Sequence, residues 1–181
     1  MKIFKKLAIV IPLVAILATG ALGEPTSSFA DTNERPELIS GGTYQLITAL
    51  NDSSVAQLTF PQRLVKLAQN TQHPQEKWEL QYDPEEDAYK FYNKFSGYGL
   101  AWIDDGGLNV GGAADAQVAK KDEHYWIPIV YDESKGYYYL RNKKNYKYLD
   151  VNNANTADGT QLIVYNYSLR WNQIFKLQKV D

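Results

Sequence analysis

The apolar and polar residues of this chain follow two different patterns. Residues 7–22 form an almost continuous apolar run, whereas beyond residue 40 short alternating runs are broken repeatedly by Gly, Asn and Asp. The segment from Gln62 to Gln69, for example, alternates as a half-buried strand does. No segment beyond residue 40 has a convincing helical spacing of apolar residues. The pattern therefore predicts an all-β barrel or sandwich built from short strands and frequent turns.

A repeat of about 48 residues underlies the alternating pattern. Trp78, Trp126 and Phe175 stand 48 and 49 residues apart in similar settings. Aromatic-rich runs at a similar period begin at Tyr44, Tyr89 and Tyr138. Three copies rarely form an open solenoid without caps, so a closed threefold arrangement is favoured, with its three anchor aromatics in the core. The predicted copies span about residues 41–85, 86–134 and 135–181.

The first thirty residues are typical of a secretory signal peptide, because three Lys precede the apolar run. Ser28-Phe29-Ala30 offers small residues at the −3 and −1 positions, so we expect cleavage after Ala30, with Gly23 as the alternative. The run is short for a membrane span and contains Pro and Gly, although an uncleaved anchor remains an interpretation. The sequence predicts a secreted, extracellular protein without membrane insertion, with a disordered lead-in over 31–40 and a folded domain over 41–181.

The composition narrows the classes of function. Nineteen Lys and Arg against 21 Asp and Glu do not give the basic surface that nucleic-acid binding through bulk charge needs. The chain has no Cys and two His, so it cannot form disulfides and has little with which to build a metal site. Neither His73 nor His124 stands beside a nucleophile in a catalytic pattern, and no carboxylate spacing marks an acid–base pair. We therefore expect neither an enzyme nor a cofactor.

The third copy carries a family likeness. Its blocks, in order, are Lys147-Tyr148-Leu149-Asp150-Val151, Thr156-Ala157-Asp158-Gly159-Thr160, Val164-Tyr165 and Asn172-Gln173-Ile174-Phe175. In their order and spacing they resemble the ricin-type β-trefoil lectins, over roughly residues 41–180. The segments around Trp78, Trp126 and Phe175 also look like the small trefoil haemagglutinin subunit of clostridial neurotoxin complexes. The resemblance implies a β-trefoil fold with pseudo-threefold symmetry and a carbohydrate-binding function.

The resemblance also implies a sugar site in each complete copy. Such a site has an Asp early in the copy, an aromatic residue about fifteen positions later, and an Asn beside the Gln of the closing motif. In the third copy these are Asp150, Tyr165, Asn172 and Gln173. Gln173 is expected to brace Asp150 and the local backbone rather than to touch sugar. Arg170 and Trp171 could extend the site.

The first two copies lack the two most important groups. Counting back by the repeat offsets places Ala101 and Ala56 at the Asp position, and Ala116 and Ala68 at the aromatic position. The closing-motif positions hold Glu123 and His124 in the second copy and Gln75 and Glu76 in the first. We therefore expect one sugar site, in the third copy, and two structural copies.

Two classes of function follow from the resemblance. One is a secreted lectin for galactose-type or N-acetylgalactosamine-type glycans, acting alone or as the cell-attachment, haemagglutinin subunit of a toxin assembly with a protein partner. The other is a trefoil interaction subunit that has lost sugar binding. Each proposed site residue also has an ordinary interpretation on its own: a solvated turn acid, a half-buried strand residue or a turn-stabilising amide. Their occurrence together in one copy favours the sugar site.

Overall fold

The computed structural model describes residues 38–104 and 106–181, and the predicted signal peptide and most of the predicted lead-in lie outside these residues. The described part is all-β, as predicted, and contains no α-helix. Its strands are β1 (Thr43–Thr48), β2 (Val55–Leu58), β3 (Val65–Ala68), β4 (Trp78–Asp83), β5 (Ala88–Asn93), β6 (Gly99–Trp102), β7 (Val110–Ala113), β8 (Trp126–Asp132), β9 (Tyr137–Asn142), β10 (Tyr148–Val151), β11 (Leu162–Tyr165) and β12 (Ile174–Lys179). Short 3₁₀ helices cover Pro74–Glu76, Asp122–His124, Glu133–Lys135, Asn152–Ala154 and Trp171–Gln173.

Six of the strands close into a barrel. The antiparallel pairs β1–β4, β4–β5, β5–β8, β8–β9, β9–β12 and β12–β1 form an unbroken ring. The remaining six strands form three hairpins, β2–β3, β6–β7 and β10–β11. Each successive group of four strands thus contributes two barrel strands and one hairpin. This is the β-trefoil architecture with pseudo-threefold symmetry, as predicted.

The repeating aromatic residues form the centre of the barrel. Trp78, Trp126 and Phe175 are fully buried. Within each repeat the anchor is the cross-strand partner of the repeating Tyr on the first strand: Tyr44 with Trp78, Tyr89 with Trp126, and Tyr138 with Phe175. The indole Nε1–H of Trp78 donates to the Ala56 carbonyl at 3.0 Å, and that of Trp126 donates to the Leu100 carbonyl at 2.9 Å. The two Trp anchors therefore fasten their hairpins to the barrel as well as filling the core, whereas Phe175 only fills the core.

The three hairpins contact one another around the threefold axis through three isolated bridges. These bridges are Lys66–Gln161, Leu64–Gly111 and Asn109–Ile163. At Gly111 the backbones come so close that a Cβ atom would lie 2.5 Å from the Arg63 carbonyl oxygen. Only glycine fits such an approach. Because the three bridges are related by the threefold symmetry, they show which residues correspond between repeats: Lys66, Gly111 and Ile163 occupy equivalent positions.

Candidate functional site

The hairpin of the third repeat presents a polar face to the outside. Leu149 and Val151 of β10 point into the core, and Asp150, between them, therefore points outward. Asp150 pairs with Ile163 across the hairpin, and Tyr148 pairs with Tyr165. Cross-strand partners share a face of the sheet. The outward face of β10–β11 thus carries the Asp150 carboxylate and, two residues along each strand, the rings of Tyr148 and Tyr165.

The 3₁₀ helix Trp171–Gln173 brings two amides onto the carboxylate. Asn172 Nδ2 donates to Asp150 Oδ1 at 2.8 Å and to Oδ2 at 2.9 Å, and Gln173 Nε2 donates to Oδ2 at 2.9 Å. Gln173 is fully buried and also binds the loop before it, since its Nε2 donates to the Asn166 carbonyl and its Oε1 accepts from the Ser168 N–H. Gln173 is therefore a bracing residue, and Asn172 stands between it and solvent.

An open cleft of about 660 Å³ lies over this carboxylate. It is lined by Asp150, Asn152, Asn153, Ala154, Ile163, Tyr165, Ser168, Arg170 and Asn172. Of the four residues predicted from the sequence, Asp150, Tyr165 and Asn172 line the cleft, whereas Gln173 lies behind it. Asp150 is only 3% exposed and forms the floor, and Tyr165 is 50% exposed and forms a wall. Of the two residues expected to extend the site, Arg170 lines the cleft and Trp171 does not.

The electrostatics of the cleft are set by the burial of Asp150. Burial raises the pKa of the Asp150 carboxyl above the ordinary value of 3.8, and the amides of Gln173 and Asn172 oppose this rise without cancelling it. Two further polar atoms in the lining, Ser168 Oγ and Asn172 Oδ1, are buried and have no hydrogen-bond partner among the described residues. Buried polar groups are ordinarily paired. The lining of the cleft therefore contains two buried polar atoms whose hydrogen-bonding capacity the protein itself does not use.

The backbone around the cleft is held in an uncommon conformation. Asn153 and Ala154 on one side and Leu169 on the other adopt positive φ angles of 55°, 54° and 57°. Non-glycine residues rarely take up this left-handed conformation, and they do so mainly at sites where the surrounding structure enforces it. Five other non-glycine residues among those described share this conformation in loops away from the cleft, so it is a feature of the tight loops of this fold rather than of the site.

The bridges correct the sequence alignment of the repeats at two positions. The residue equivalent to Asp150 in the first repeat is Gln57, not Ala56, because Gln57 pairs with Lys66 as Asp150 pairs with Ile163. Gln57 stands thirteen positions after Tyr44, whereas Asp150 stands twelve positions after Tyr138. The first repeat therefore has one extra residue before this point of its hairpin.

A similar shift affects the aromatic position of the second repeat. The equivalent of Tyr165 there is Ala113, which pairs with Gly99, and not Ala116. Ala101 remains the equivalent of Asp150. The corrected positions still hold neither a carboxylate nor an aromatic ring, so the first two repeats lack both groups that define the cleft of the third.

Apart from Ile163 of β11, the lining residues that sequence reasoning missed come from the segments that follow the hairpin strands. Asn152, Asn153 and Ala154 belong to a 3₁₀ helix after β10, and Ser168 lies in the loop after β11. Nothing in the repeat pattern marks them, since the loops differ in length and composition between repeats. Arg170 could be found only from its position beside the closing motif.

Neither a metal site nor a membrane-spanning helix is found in the part of the chain that the structure covers. No group of three or more His, Asp or Glu residues there could hold a metal ion. Among the same residues, no helix has the length and apolar character needed to cross a membrane.

Comparison with known proteins gives a family and a set of similar structures. The family model of the ricin-type beta-trefoil lectin domain-like proteins matches residues 74–165, just over half of the chain. No curated protein matches the sequence.

Three similar structures illustrate the range of proteins that share the fold. The designed threefold-symmetric protein ThreeFoil is 26% identical, with a TM-score of 0.66 over 77% of this chain and 99% of its own. A mosquitocidal holotoxin is 27% identical, with a TM-score of 0.69 over 76% of this chain but 16% of its own. A ricin B-like lectin of Macrolepiota procera, in complex with lactose, is 14% identical, with a TM-score of 0.66 over 80% of this chain and 99% of its own.

Proposed function

This chain belongs to the family of ricin-type β-trefoil lectin domain-like proteins, and we propose that it binds carbohydrate through a single site, the cleft of its third repeat. The observation that carries this proposal is the Asp150 carboxylate, held by the amides of Asn172 and Gln173 at the floor of an open cleft beside an exposed Tyr165 ring. The proposal assigns no catalytic residue.

The carboxylate supplies the strongest contact to the sugar. An ionised carboxyl group has about four acceptor positions, and the amide donors of Asn172 and Gln173 occupy three. The remaining capacity can accept a hydrogen bond from a sugar hydroxyl, and such a charge-assisted bond is roughly twice as strong as a neutral one. The two amides fix the direction of the carboxylate, so little ordering is needed when the sugar binds.

Other groups in the cleft complete the recognition. The exposed ring of Tyr165 covers the apolar C–H face of a pyranose and excludes water from it. Asn172 Oδ1 and Ser168 Oγ are buried and unpaired, so each can bind a sugar hydroxyl once its side chain rotates toward the cleft.

The sugar class, the location and the assembly belong to the proposal as well. A galactose-type or N-acetylgalactosamine-type ligand is supported by the fold shared with the Macrolepiota procera lectin, whose ligand lactose contains galactose. Secretion is proposed from the signal peptide pattern. A role as the cell-attachment subunit of a toxin, with a protein partner, is supported by the likeness to one part of a mosquitocidal holotoxin. The likeness to the clostridial haemagglutinin subunit stays a prediction.

The test is binding to immobilised galactose and N-acetylgalactosamine. We expect Asp150→Ala to lose at least about tenfold in affinity, since it removes the charged acceptor. Asp158→Ala is the matched control, because Asp158 is an exposed acid of the same repeat that does not line the cleft. Its affinity should equal that of the wild type.

Two results would contradict the proposal. Equal binding by the wild type and Asp150→Ala would remove the cleft from the mechanism. No binding by the wild type across a broad glycan panel, with a stoichiometric protein captured from the secreting organism's medium, would favour the interaction subunit that has lost sugar binding.

A further inference from the structure

A group of exposed, partly buried and buried aromatic side chains, one at the end of the second repeat and four in the third, is not explained by the cleft. Tyr131, Tyr139, Tyr148, Tyr167 and Trp171 form one connected set, here named the aromatic strip. Neighbouring ring centroids lie 4.9 to 5.8 Å apart along the path from Tyr148 through Tyr167, Tyr139 and Tyr131 to Trp171.

The strip has a buried base and an exposed top. Tyr139 is buried and contacts Tyr131, Tyr148 and Tyr167. Tyr131 is 45% exposed, and Tyr167 and Trp171 are each about half exposed. Core packing explains Tyr139 and, in part, Tyr148, which packs against the same buried cluster, but it does not explain Tyr131, Tyr167 and Trp171, because about half of each of these side chains remains exposed. Clustered exposed aromatic residues are typical of a binding surface.

The strip is continuous with the cleft. Tyr148, at one end of the strip, pairs across the hairpin with Tyr165, the wall of the cleft. Both share the outward face with Asp150. Further along, Trp171 lies in the chain between Arg170 and Asn172, which both line the cleft. A ligand that fills the cleft and continues past Tyr165 meets the strip next.

The chemistry of the strip suits sugar rings. Its members contribute ring faces and phenolic hydroxyls but no charged group, so the strip can cover pyranose C–H faces and bind single hydroxyls. Tyr and Trp also lose little conformational entropy on binding, because each has two side-chain torsions. Tyr131, Tyr167 and Trp171 are its exposed members, so these three rings can contact sugars that extend beyond the cleft.

We infer that the aromatic strip extends the cleft and binds the second and later sugars of a glycan chain, so that the ligand is an oligosaccharide rather than a monosaccharide. This inference rests on the proposed function of the cleft. It also explains how a shallow cleft, whose only charged acceptor is 3% exposed, gains affinity: further rings bury more apolar surface without a second carboxylate.

The experiment compares ligands of increasing length by calorimetry: galactose, lactose and the linear tetrasaccharide lacto-N-neotetraose. We expect the wild type to bind the tetrasaccharide at least about tenfold more tightly than galactose. Tyr131→Ala, which changes a residue that does not line the cleft, should reduce this ratio to within about threefold, and Tyr131→Ala with Tyr167→Ala should abolish it.

The matched control is Tyr82→Ala. Tyr82, in the first repeat, is an exposed Tyr that contacts Tyr89 of the second repeat, and it lies outside the strip and the cleft. It should leave the ratio of the two affinities as in the wild type. Circular dichroism of each variant shows whether it is folded.

The outcomes separate the two proposals. Binding of galactose with no advantage for the longer ligand would overturn the strip and leave the cleft intact. Equal loss of galactose and tetrasaccharide affinity in Tyr131→Ala would also overturn it, since the strip would then not act as a separate extension. Binding of none of the three ligands by the wild type would overturn the function of the cleft itself.

Discussion

At the scale of single residues, Asp150 combines two properties that seldom occur together. It is almost fully buried, yet it lines an open cleft and keeps unused acceptor capacity. Burial makes its charge costly, and the amides of Asn172 and Gln173 reduce that cost. A carboxylate held in this way is poised to gain from any further donor, which a sugar hydroxyl provides.

This arrangement predicts acid-sensitive binding. Because burial raises the pKa of Asp150 above 3.8, the carboxylate takes up its proton at a higher pH than an ordinary aspartate. Galactose affinity should therefore fall as the pH is lowered toward a midpoint above 3.8. The effect of Asp150 on folding stability has the opposite sign. Its raised pKa stabilises the folded protein at low pH, and this stabilisation is lost as the pH rises through the raised pKa. Affinity measured between pH 7 and pH 4 by calorimetry checks the first effect.

Asp150→Asn is the diagnostic variant for this pH dependence. Asn keeps the shape of the side chain but cannot titrate, so its residual affinity should not change over the same range. A wild-type affinity that stays constant to pH 4, or a variant that keeps the full wild-type pH profile, would contradict the assignment of the effect to Asp150.

The sequence could predict only the part of the cleft that follows the repeat. Asp150, Tyr165 and Asn172 stand at fixed distances from Phe175, so a family pattern can find them. Ser168 enters the cleft only because the loop after β11 folds back over the hairpin, held by Gln173. Such a contact depends on the conformation of the loop, which cannot be predicted from the repeat of apolar and polar residues.

At the scale of the elements, the 3₁₀ helix before each anchor ends in a buried polar residue, and this residue differs between the three repeats. The three residues are Glu76, His124 and Gln173. Glu76 accepts hydrogen bonds from the N–H and hydroxyl of Thr71, and Gln173 accepts from the N–H of Ser168. His124 lies with Nε2 3.6 Å from an Asp115 carboxyl oxygen. Glu76 and Gln173 thus tie down the loop that precedes them by hydrogen bonds, whereas His124 lies beside its loop without a hydrogen bond of comparable length to Asp115.

The second repeat should therefore lose stability in acid. Burial lowers the pKa of His124 below 6.5, against the opposing effect of the Asp115 and Glu123 carboxylates. The unfolded chain then takes up this proton first, so stability falls as the pH drops below 6.5. His124→Gln, which installs the residue of the third repeat, should make the melting temperature less dependent on pH between 7.5 and 5.5.

His73→Gln is the matched control, because His73 is exposed. It should melt with the pH dependence of the wild type. Parallel melting curves for the wild type and His124→Gln across this range would show that His124 does not titrate with folding.

The strand register illustrates where sequence reasoning fails at this scale. The repeat offset aligned Ala56 with Asp150, whereas the bridge at Lys66 aligns Gln57. One extra residue before the hairpin of the first repeat causes the difference. The offset between tyrosines fixes the barrel strands correctly, but a loop between the Tyr and the hairpin can absorb a residue without disturbing the barrel.

At the scale of the whole molecule, the closed barrel explains how the fold does without disulfides. The ring of six strands has no free edge, and its anchors come from all three repeats. The sequence could predict this because the anchors recur at one period and are the largest apolar side chains at that period. The number of copies favours a barrel over a sandwich, since three equivalent units close most simply around an axis.

Trp126→Phe tests the fastening role of the anchors. The change removes the hydrogen bond from Nε1 to the Leu100 carbonyl and leaves a small space in the core. Phe175 occupies the same position in the third repeat, so the fold should be kept. We expect the free energy of unfolding in urea to fall by about 1–3 kcal/mol.

Trp171→Phe makes the same chemical change at a half-exposed position. It should alter the free energy of unfolding by no more than about 0.5 kcal/mol. Equal effects at the two positions would mean that the buried hydrogen bond contributes nothing to stability.

The unequal repeats limit what one molecule can do at a cell surface. Only the third hairpin has a carboxylate at the outward position, while Gln57 and Ala101 stand at the other two. Under the proposed function, one glycan cleft makes the chain monovalent, so that it can coat a cell but cannot hold two cells together. The proposal then predicts agglutination only when several chains are joined on one carrier, where avidity also compensates for a weak single contact.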